Sequence, residues 1–318
     1  MTLDNIFEEI NKAKSIAILT HENPDGDAIG SSLAMYNALK NYGKDVDVII
    51  PEYPRTFRFL PGASEIVKQG KNTEYDLAIS LDCASINMLN GYEKYFENAK
   101  SKIVIDHHGT NSMYGDFNFV NPDAPACAQI LIVILNYFKM EITKEIGRCI
   151  LTGIITDTGG FKYSGVTAET FEFVAWLLNK GVNVSNIYRK VLQIKSKANF
   201  ELHRIASDRV EFLENGKIAF TYITLEDEEK VGAESGDHEG IVEIGRDVED
   251  VEVSIFIRET KNRGLKISLR SCEYVNVADI ALLFGGGGHP RAAGCNMNLT
   301  IPQAKERIIK EIKANLRN

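Results

Sequence analysis

The stretch Ser15-Ile-Ala-Ile-Leu-Thr20 and its continuation, His21-Glu-Asn-Pro-Asp25-Gly-Asp27-Ala-Ile-Gly30-Ser31, decide the fold class. A short apolar run bounded by polar residues reads as a buried strand. The run at 28–41, closing near Gly43, reads as the helix that follows it. Similar β-type runs recur at 45–50, 76–81 and 102–105, and the last two end directly in Asp82 and Asp106. Helical patterns at 3–13, 126–138, 146–155 and 168–179 alternate with them. Such alternation predicts an α/β domain on a mostly parallel, Rossmann-like sheet.

The texture changes further along. Residues 184–206 read as helical, rich in Lys and Asn and poor in large apolar side chains, as expected of a connector. Beyond it lie β-type runs at 217–224, 251–258 and 265–270 and helical runs at 277–284 and 302–316, which predict a smaller α+β domain. The expected organisation is a first domain at 1–185, a helical linker at 186–206 and a second domain at 207–318.

Composition narrows the function. With 318 residues and 44% hydrophobic content the chain can bury a core in each domain, and its formal charge of −8 argues against a protein that coats long nucleic acid. A small phosphate-bearing ligand held locally is compatible with that charge. The five cysteines, dispersed and never in a C-x-x-C pair, indicate neither a disulfide framework nor a zinc ribbon. No apolar run approaches the ~20 residues that cross a bilayer, and the N-terminus lacks a secretory pattern. A cytoplasmic location with no membrane partner is expected.

In open α/β sheets ligands bind beyond the carboxyl ends of the strands. Four segments are expected to reach that rim: His21 with Asp25 and Asp27, Asp82, Asp106-His107-His108, and Thr156-Asp157-Thr158. Each Asp taken alone reads more readily as a helix N-cap or a turn residue than as a ligand. Together they are a different matter, because crowded carboxylates raise one another's pKa unless a cation is bound. Four Asp with two neutral His carry −4, which two divalent ions would balance. Carboxylate with imidazole suits Mn²⁺ or Mg²⁺, and two such ions ~3.5–4 Å apart are apparatus for phosphoryl hydrolysis. One carboxylate must then bridge them, and Asp82, isolated at a strand end, is the best candidate.

These motifs, His21-x-x-x-Asp25-x-Asp27-x-x-Gly30-Ser31, Asp82, Asp106-His107-His108 and Thr156-Asp157-Thr158-Gly-x-Phe161, resemble the four motifs of the DHH phosphoesterase superfamily in order. The resemblance implies that His21, Asp25 and Asp82 ligate one metal and Asp27, Asp82, His107 and Asp157 the other. It further implies that His108 contacts the substrate phosphate, with Asp106 orienting the histidines. One departure follows Asp82, where the family commonly has a basic residue and this chain runs Cys83-Ala-Ser-Ile-Asn-Met-Leu89.

A second signal is Gly285-Gly-Gly-Gly288-His289-Pro-Arg291-Ala-Ala-Gly294, in the basic stretch that holds Arg258, Lys261, Arg263, Lys266 and Arg270. Consecutive glycines expose backbone N–H groups to a phosphate; the alternative is a flexible turn. With Ser268-Leu-Arg270-Ser271 upstream, this run resembles the DHHA1 substrate-binding domain. The resemblance implies that Ser268, Arg270, Gly286, Gly287, Gly288 and His289 contact substrate. The two-domain layout looks most like the nanoRNase and pAp phosphatase type, which implies hydrolysis of short oligonucleotides and of 3′-phosphoadenosine 5′-phosphate. Cyclic-dinucleotide phosphodiesterase, exopolyphosphatase and inorganic pyrophosphatase are the alternatives within the same chemistry. A nucleotide-binding regulator has no need of four convergent Asp. Whether the chain forms a homodimer is left open by the sequence.

Overall fold

The computed structural model describes residues 3–163, 165–234, 236–261 and 264–317, so Arg263 of the basic stretch lies outside the described residues. The chain divides into two compact units, Met1–Ile194 and Lys195–Asn318.

In the first unit α1 (Leu3–Lys12), β1 (Ser15–Leu19), α2 (Gly26–Asn41), β2 (Asp45–Ile49), β3 (Ile66–Val67), β4 (Leu77–Leu81), α3 (Glu93–Glu97), β5 (Ser101–Asp106), β6 (Phe117–Val120), α4 (Cys127–Tyr137), α5 (Lys144–Asp157), α6 (Ala168–Asn179) and α7 (Val184–Tyr188) follow in order. The six strands form one parallel sheet in the order β3-β2-β1-β4-β5-β6. The chain therefore winds outward from β1, then returns to lay β4 on its other side. The crevice of such a sheet opens where the order reverses, between β1 and β4. Those are the strands that deliver His21 and Asp82.

Alternating side chains of each strand feed two cores, as the two-residue period requires. Ile16 and Ile18 of β1, Leu77 and Ile79 of β4, and Ile103 and Ile105 of β5 join the larger core under α2, α4 and α5. Ala17, Leu19, Ala78 and Val104 face the opposite core around Tyr75, Tyr95 and Phe96. The short edge strand β6 was not expected from sequence. All four of its residues are only partly buried, so Phe-Asn-Phe-Val lacks the continuous burial that marks the central strands.

The second unit holds α8 (Lys197–Asp208), β7 (Glu211–Leu213), β8 (Ile218–Ile223), α9 (Leu225–Val231), α10 (Ile241–Arg246), β9 (Val253–Glu259), β10 (Leu265–Ser271), α11 (Val277–Leu282), β11 (Gly287–His289), β12 (Ala292–Met297) and α12 (Ile301–Lys313). Its sheet runs β11-β12-β10-β9-β8-β7, with β8 and β9 parallel and the other pairs antiparallel. Residues of α11 and α12 join the core on one face, and residues of α8 and α10 join that on the other. The stretch read as a connector divides: α7 and the π-turn at Arg189–Gln193 fall in the first unit, whereas α8 falls in the second.

Candidate metal centre

Five segments of the first unit converge at the rim of the parallel sheet. After β1, the turn through Pro24 puts Asp25 at the N-cap of α2, where its Oδ1 accepts from the backbone N–H of Asp27 (2.9 Å) and Ala28 (3.1 Å). The cap role that Asp25 offered in isolation is real, and its second oxygen is left for another partner. Backbone pairing of Glu22 N with Met88 O (2.8 Å) ties the His21 loop to the loop after β4.

Asp27 is fully buried in the first turn of α2. Its carboxylate reaches the N-terminus of α4 and accepts from Cys127 N (2.5 Å) and Ala128 N (2.9 Å), where the helix dipole favours negative charge. This is achieved by close helix crossing. A Cβ on Gly153 of α5 would lie 2.5 Å from Asp27 Oδ1, and one on Gly30 of α2 would lie 2.6 Å from Cys149 O. Both positions therefore exclude any larger residue, and the tight α2–α5 crossing carries Asp157, at the last turn of α5, beside Asp27. Asp157 thus arrives from a helix C-terminus, unlike the strand-end aspartates. The glycines at 30 and 153 were the sequence signal for this crossing, legible only once the two helices are known to meet.

Asp82 follows β4 directly with φ +52°, a left-handed conformation unusual for a non-glycine residue. It is 2% exposed, and its Oδ1 has no hydrogen-bond partner, with His107 Nε2 at 3.4 Å. His107 Nδ1 pairs with the Ala124 carbonyl (3.1 Å), which aims Nε2 at Asp82, at Asp157 Oδ2 (3.3 Å) and at Asp27 Oδ2 (3.9 Å). Asp106, fully buried, accepts from His107 N (2.8 Å) and pairs with His108 Nδ1 (2.8 Å).

Ligand-capable atoms within 4.8 Å of one another form three overlapping groups: His21, Asp25 and Asp82; Asp27, His107 and Asp157; and Asp82, His107 and His108. All six residues expected as ligands are thus brought together: Asp82 joins the His21–Asp25 group to the His107–His108 group, and His107 joins that group to Asp27 and Asp157.

The electrostatics are those of crowded, buried carboxylates. Burial, reinforced by the neighbouring carboxylates, raises the Asp27 carboxyl well above its ordinary range and pushes Asp82 up to about 6 and Asp157 up to about 7. Burial would lower His107, but its close approach to Asp82 and the charges of Asp27, Asp82 and Asp157 push it up to about 10. For His108 burial is likewise overcome, by Asp106 and Asp82, and its pKa rises. An orphaned buried carboxylate oxygen and a donor set of oxygen and imidazole nitrogen fit hard or borderline divalent ions.

In the second unit Ser268 and Arg270 share the same face of β10, and Arg270 Nε meets Glu243 Oε1 at 3.1 Å. The glycine run is more ordered than a flexible turn. Gly285 N and Gly286 N donate to Leu282 O (3.0 Å) and Ala281 O (2.9 Å), closing α11, so neither N–H projects freely as a phosphate cradle requires. Gly287 to His289 then form β11, paired with Gly294 to Ala292, and a Cβ on Gly288 would lie 2.5 Å from Ala292 O. Gly287 and His289 stand on this hairpin, His289 exposed near its tip.

Comparison with known proteins agrees with both units. Residues 15–154 match the DHH family, N-terminal domain, and residues 215–318 match the DHHA1 domain. The chain is 36% identical over 305 residues to a bifunctional oligoribonuclease and PAP phosphatase NrnA of Thermus thermophilus, covering 95% of this chain and 90% of that protein. It is 26% identical to the protein of the same name from Mycoplasma genitalium, over 92% of this chain and 93% of that one. A crystal structure of an exopolyphosphatase-related protein from Bacteroides fragilis superposes with a TM-score of 0.91 at 29% identity, covering 98% of this chain and 95% of that one. With a DHH match over the unit that carries the acidic rim, a DHHA1 match over the glycine hairpin and a relative aligned along nearly its whole length, the chain belongs to the DHH family of phosphoesterases, in the branch that carries a DHHA1 domain.

Proposed function

We propose that the chain is a two-metal phosphoesterase that hydrolyses short oligonucleotides to mononucleotides and removes phosphate from 3′-phosphoadenosine 5′-phosphate. The observation that carries this is the chain of three overlapping ligand groups, joined through Asp82 and His107, around a buried Asp82 oxygen that accepts no hydrogen bond. The names of the relatives from Thermus thermophilus and Mycoplasma genitalium support the substrate class.

His21, Asp25 and Asp82 would hold one divalent ion, and Asp27, Asp82, His107 and Asp157 the other, with Mn²⁺ the preferred ion. Bound there, the ions supply Lewis acidity toward phosphoryl oxygens and make water a better nucleophile near neutral pH. The chain does the rest. Asp106 fixes the ring of His108 through Nδ1, leaving Nε2 to hold a proton that it presents to a phosphate oxygen. Ser268, Arg270, Gly287, Gly288 and His289 are assigned to nucleotide binding, with the guanidinium serving a phosphate, while Gly286, its N–H spent on Ala281 O, shapes the hairpin that presents them. Global acidity restricts partners to short nucleotides.

The test is a substrate panel of a dinucleotide, 3′-phosphoadenosine 5′-phosphate, a cyclic dinucleotide, polyphosphate and pyrophosphate, each with Mn²⁺ and with chelator. Turnover of the first two, abolished by chelation, is expected. Pyrophosphate or polyphosphate as sole substrate would overturn the nucleotide assignment.

A further inference from the structure

Between the strained turn at Asp82 and the Asp106–His108 pair lies one side chain with no part in the motifs. Asn111 donates from Nδ2 to Cys83 O (3.1 Å) and to Asp106 Oδ2 (2.6 Å), while its Oδ1 accepts from Met113 N (2.7 Å). The first contact grips the backbone one residue after Asp82, whose left-handed φ needs surrounding structure to sustain it. The second occupies the Asp106 oxygen opposite the one that holds His108 Nδ1 and His107 N. One amide group thus fixes both the turn that aims Asp82 and the carboxylate that orients His108.

The contacts around it point the same way. Ser112 N donates to Ala84 O (2.9 Å), and Tyr114 OH donates to Cys83 O (3.0 Å) while sharing a hydrogen bond with Ser80 Oγ (2.7 Å). Tyr114 therefore secures the same turn with no described hydrogen bond to Asp106. His107 and His108 approach Asp82 across the two halves as ion pairs (3.4 and 3.7 Å); among the described side chains outside the motifs, Asn111 adds hydrogen bonds to both.

We propose that Asn111 is a positioning residue of the hydrolytic reaction, coupling the Asp82 turn to the Asp106–His108 pair through its Nδ2 donors. This rests on the phosphoesterase reading above. Partners that orient a reacting group's neighbours typically govern activity by about 10–100-fold. The alternative, in which Asn111 merely closes the local turn through Oδ1 and Met113 N, makes a different prediction for an isosteric change. Asn111→Asp keeps that acceptor, removes the donors and sets a carboxylate against Asp106 and the Cys83 carbonyl.

The experiment measures kcat and KM for a dinucleotide and for bis(p-nitrophenyl) phosphate at saturating Mn²⁺, in wild type, Asn111→Asp, Asn111→Ala and Tyr114→Phe, with circular dichroism and unfolding midpoints alongside. A kcat lowered about 10–100-fold in both Asn111 variants, a KM within about twofold and a smaller loss in Tyr114→Phe are expected. Wild-type kcat in Asn111→Asp overturns the proposal. Equal losses in Asn111→Asp and Tyr114→Phe also overturn it, since securing the turn alone would then suffice, and so does a rate loss that only follows unfolding. A wild type inactive on every phosphoester in the presence of Mn²⁺ overturns the underlying reading instead.

Discussion

The acidic rim of the first unit and the glycine hairpin of the second are both decided by close backbone approach, yet they treat polar groups in opposite ways. At the rim, buried carboxylates are packed against one another until Asp82 retains an oxygen with no hydrogen bond. In the hairpin, the backbone N–H groups of Gly285 and Gly286 close the helix before them, and the next three residues pair with a neighbouring strand. Unsatisfied buried charge is unfavourable in isolation and favourable once a cation arrives. The first region is therefore legible as a site from its energetics. The second is legible first as architecture, and its ligand role depends on side chains such as Arg270 and His289.

The sharpest way to break this contrast is Asp82→Ala. If the shared carboxylate organises the metals, activity falls about 10³-fold or more, as expected when metal-based charge stabilisation worth several kcal/mol is lost. Retention of activity would leave Asp82 no better than a turn residue. Arg270→Ala probes the other region, and should raise KM about 10–100-fold, the worth of a charge-assisted phosphate contact, with bound Mn²⁺ unchanged. Loss of metal in that variant would contradict the separation of roles.

A pH series sharpens the electrostatic half. The pKa values of Asp82, about 6, and Asp157, about 7, lie above those of unfolded carboxylates, so their contribution to metal-free stability is full below about pH 4 and is lost as pH rises through 6 to 7. His107, raised to about 10, contributes stability below its unfolded value that is lost as pH rises toward 10. All three work in one direction: the metal-free protein weakens with rising pH while ligation becomes easier. The rise in Tm on adding Mn²⁺ should accordingly grow from pH 5.5 to pH 8 in thermal denaturation, and Mn²⁺ binding should release protons in calorimetry. A Tm increment independent of pH would contradict it.

Smaller effects separate the glycines. Gly286→Ala must push against the Gly294 carbonyl oxygen and against Cys295, whose Cβ would lie 2.5 Å from the added methyl, and should cost about 1–3 kcal/mol in denaturant unfolding. Gly287→Ala meets no atom within 4 Å and should change stability by less than about 0.5 kcal/mol. Equal costs would show that the hairpin is not packed as described.

What sequence could reveal followed burial. The strands β1, β4 and β5 were legible because central parallel strands are apolar on both faces, and α6 was legible from its periodicity and closing glycine. The edge strand β6 and the glycine strand β11 were not, because neither is deeply buried and glycine carries no strand signal of its own. The aspartates and histidines of the rim were legible as a set, since strand ends and the helices that follow them bring crowded carboxylates and imidazoles to one edge of the sheet. Asn111 was not, because its partner Cys83 lies 28 residues away and the contact exists only after folding.

The most direct test of the metal centre is anomalous diffraction at the manganese edge from crystals grown with Mn²⁺. Two peaks ~3.5–4 Å apart are expected, one beside His21 and Asp25, one beside Asp27, His107 and Asp157, and Asp82 between them. A single peak, or two peaks with Asp82 ligating neither, would contradict the shared-carboxylate account.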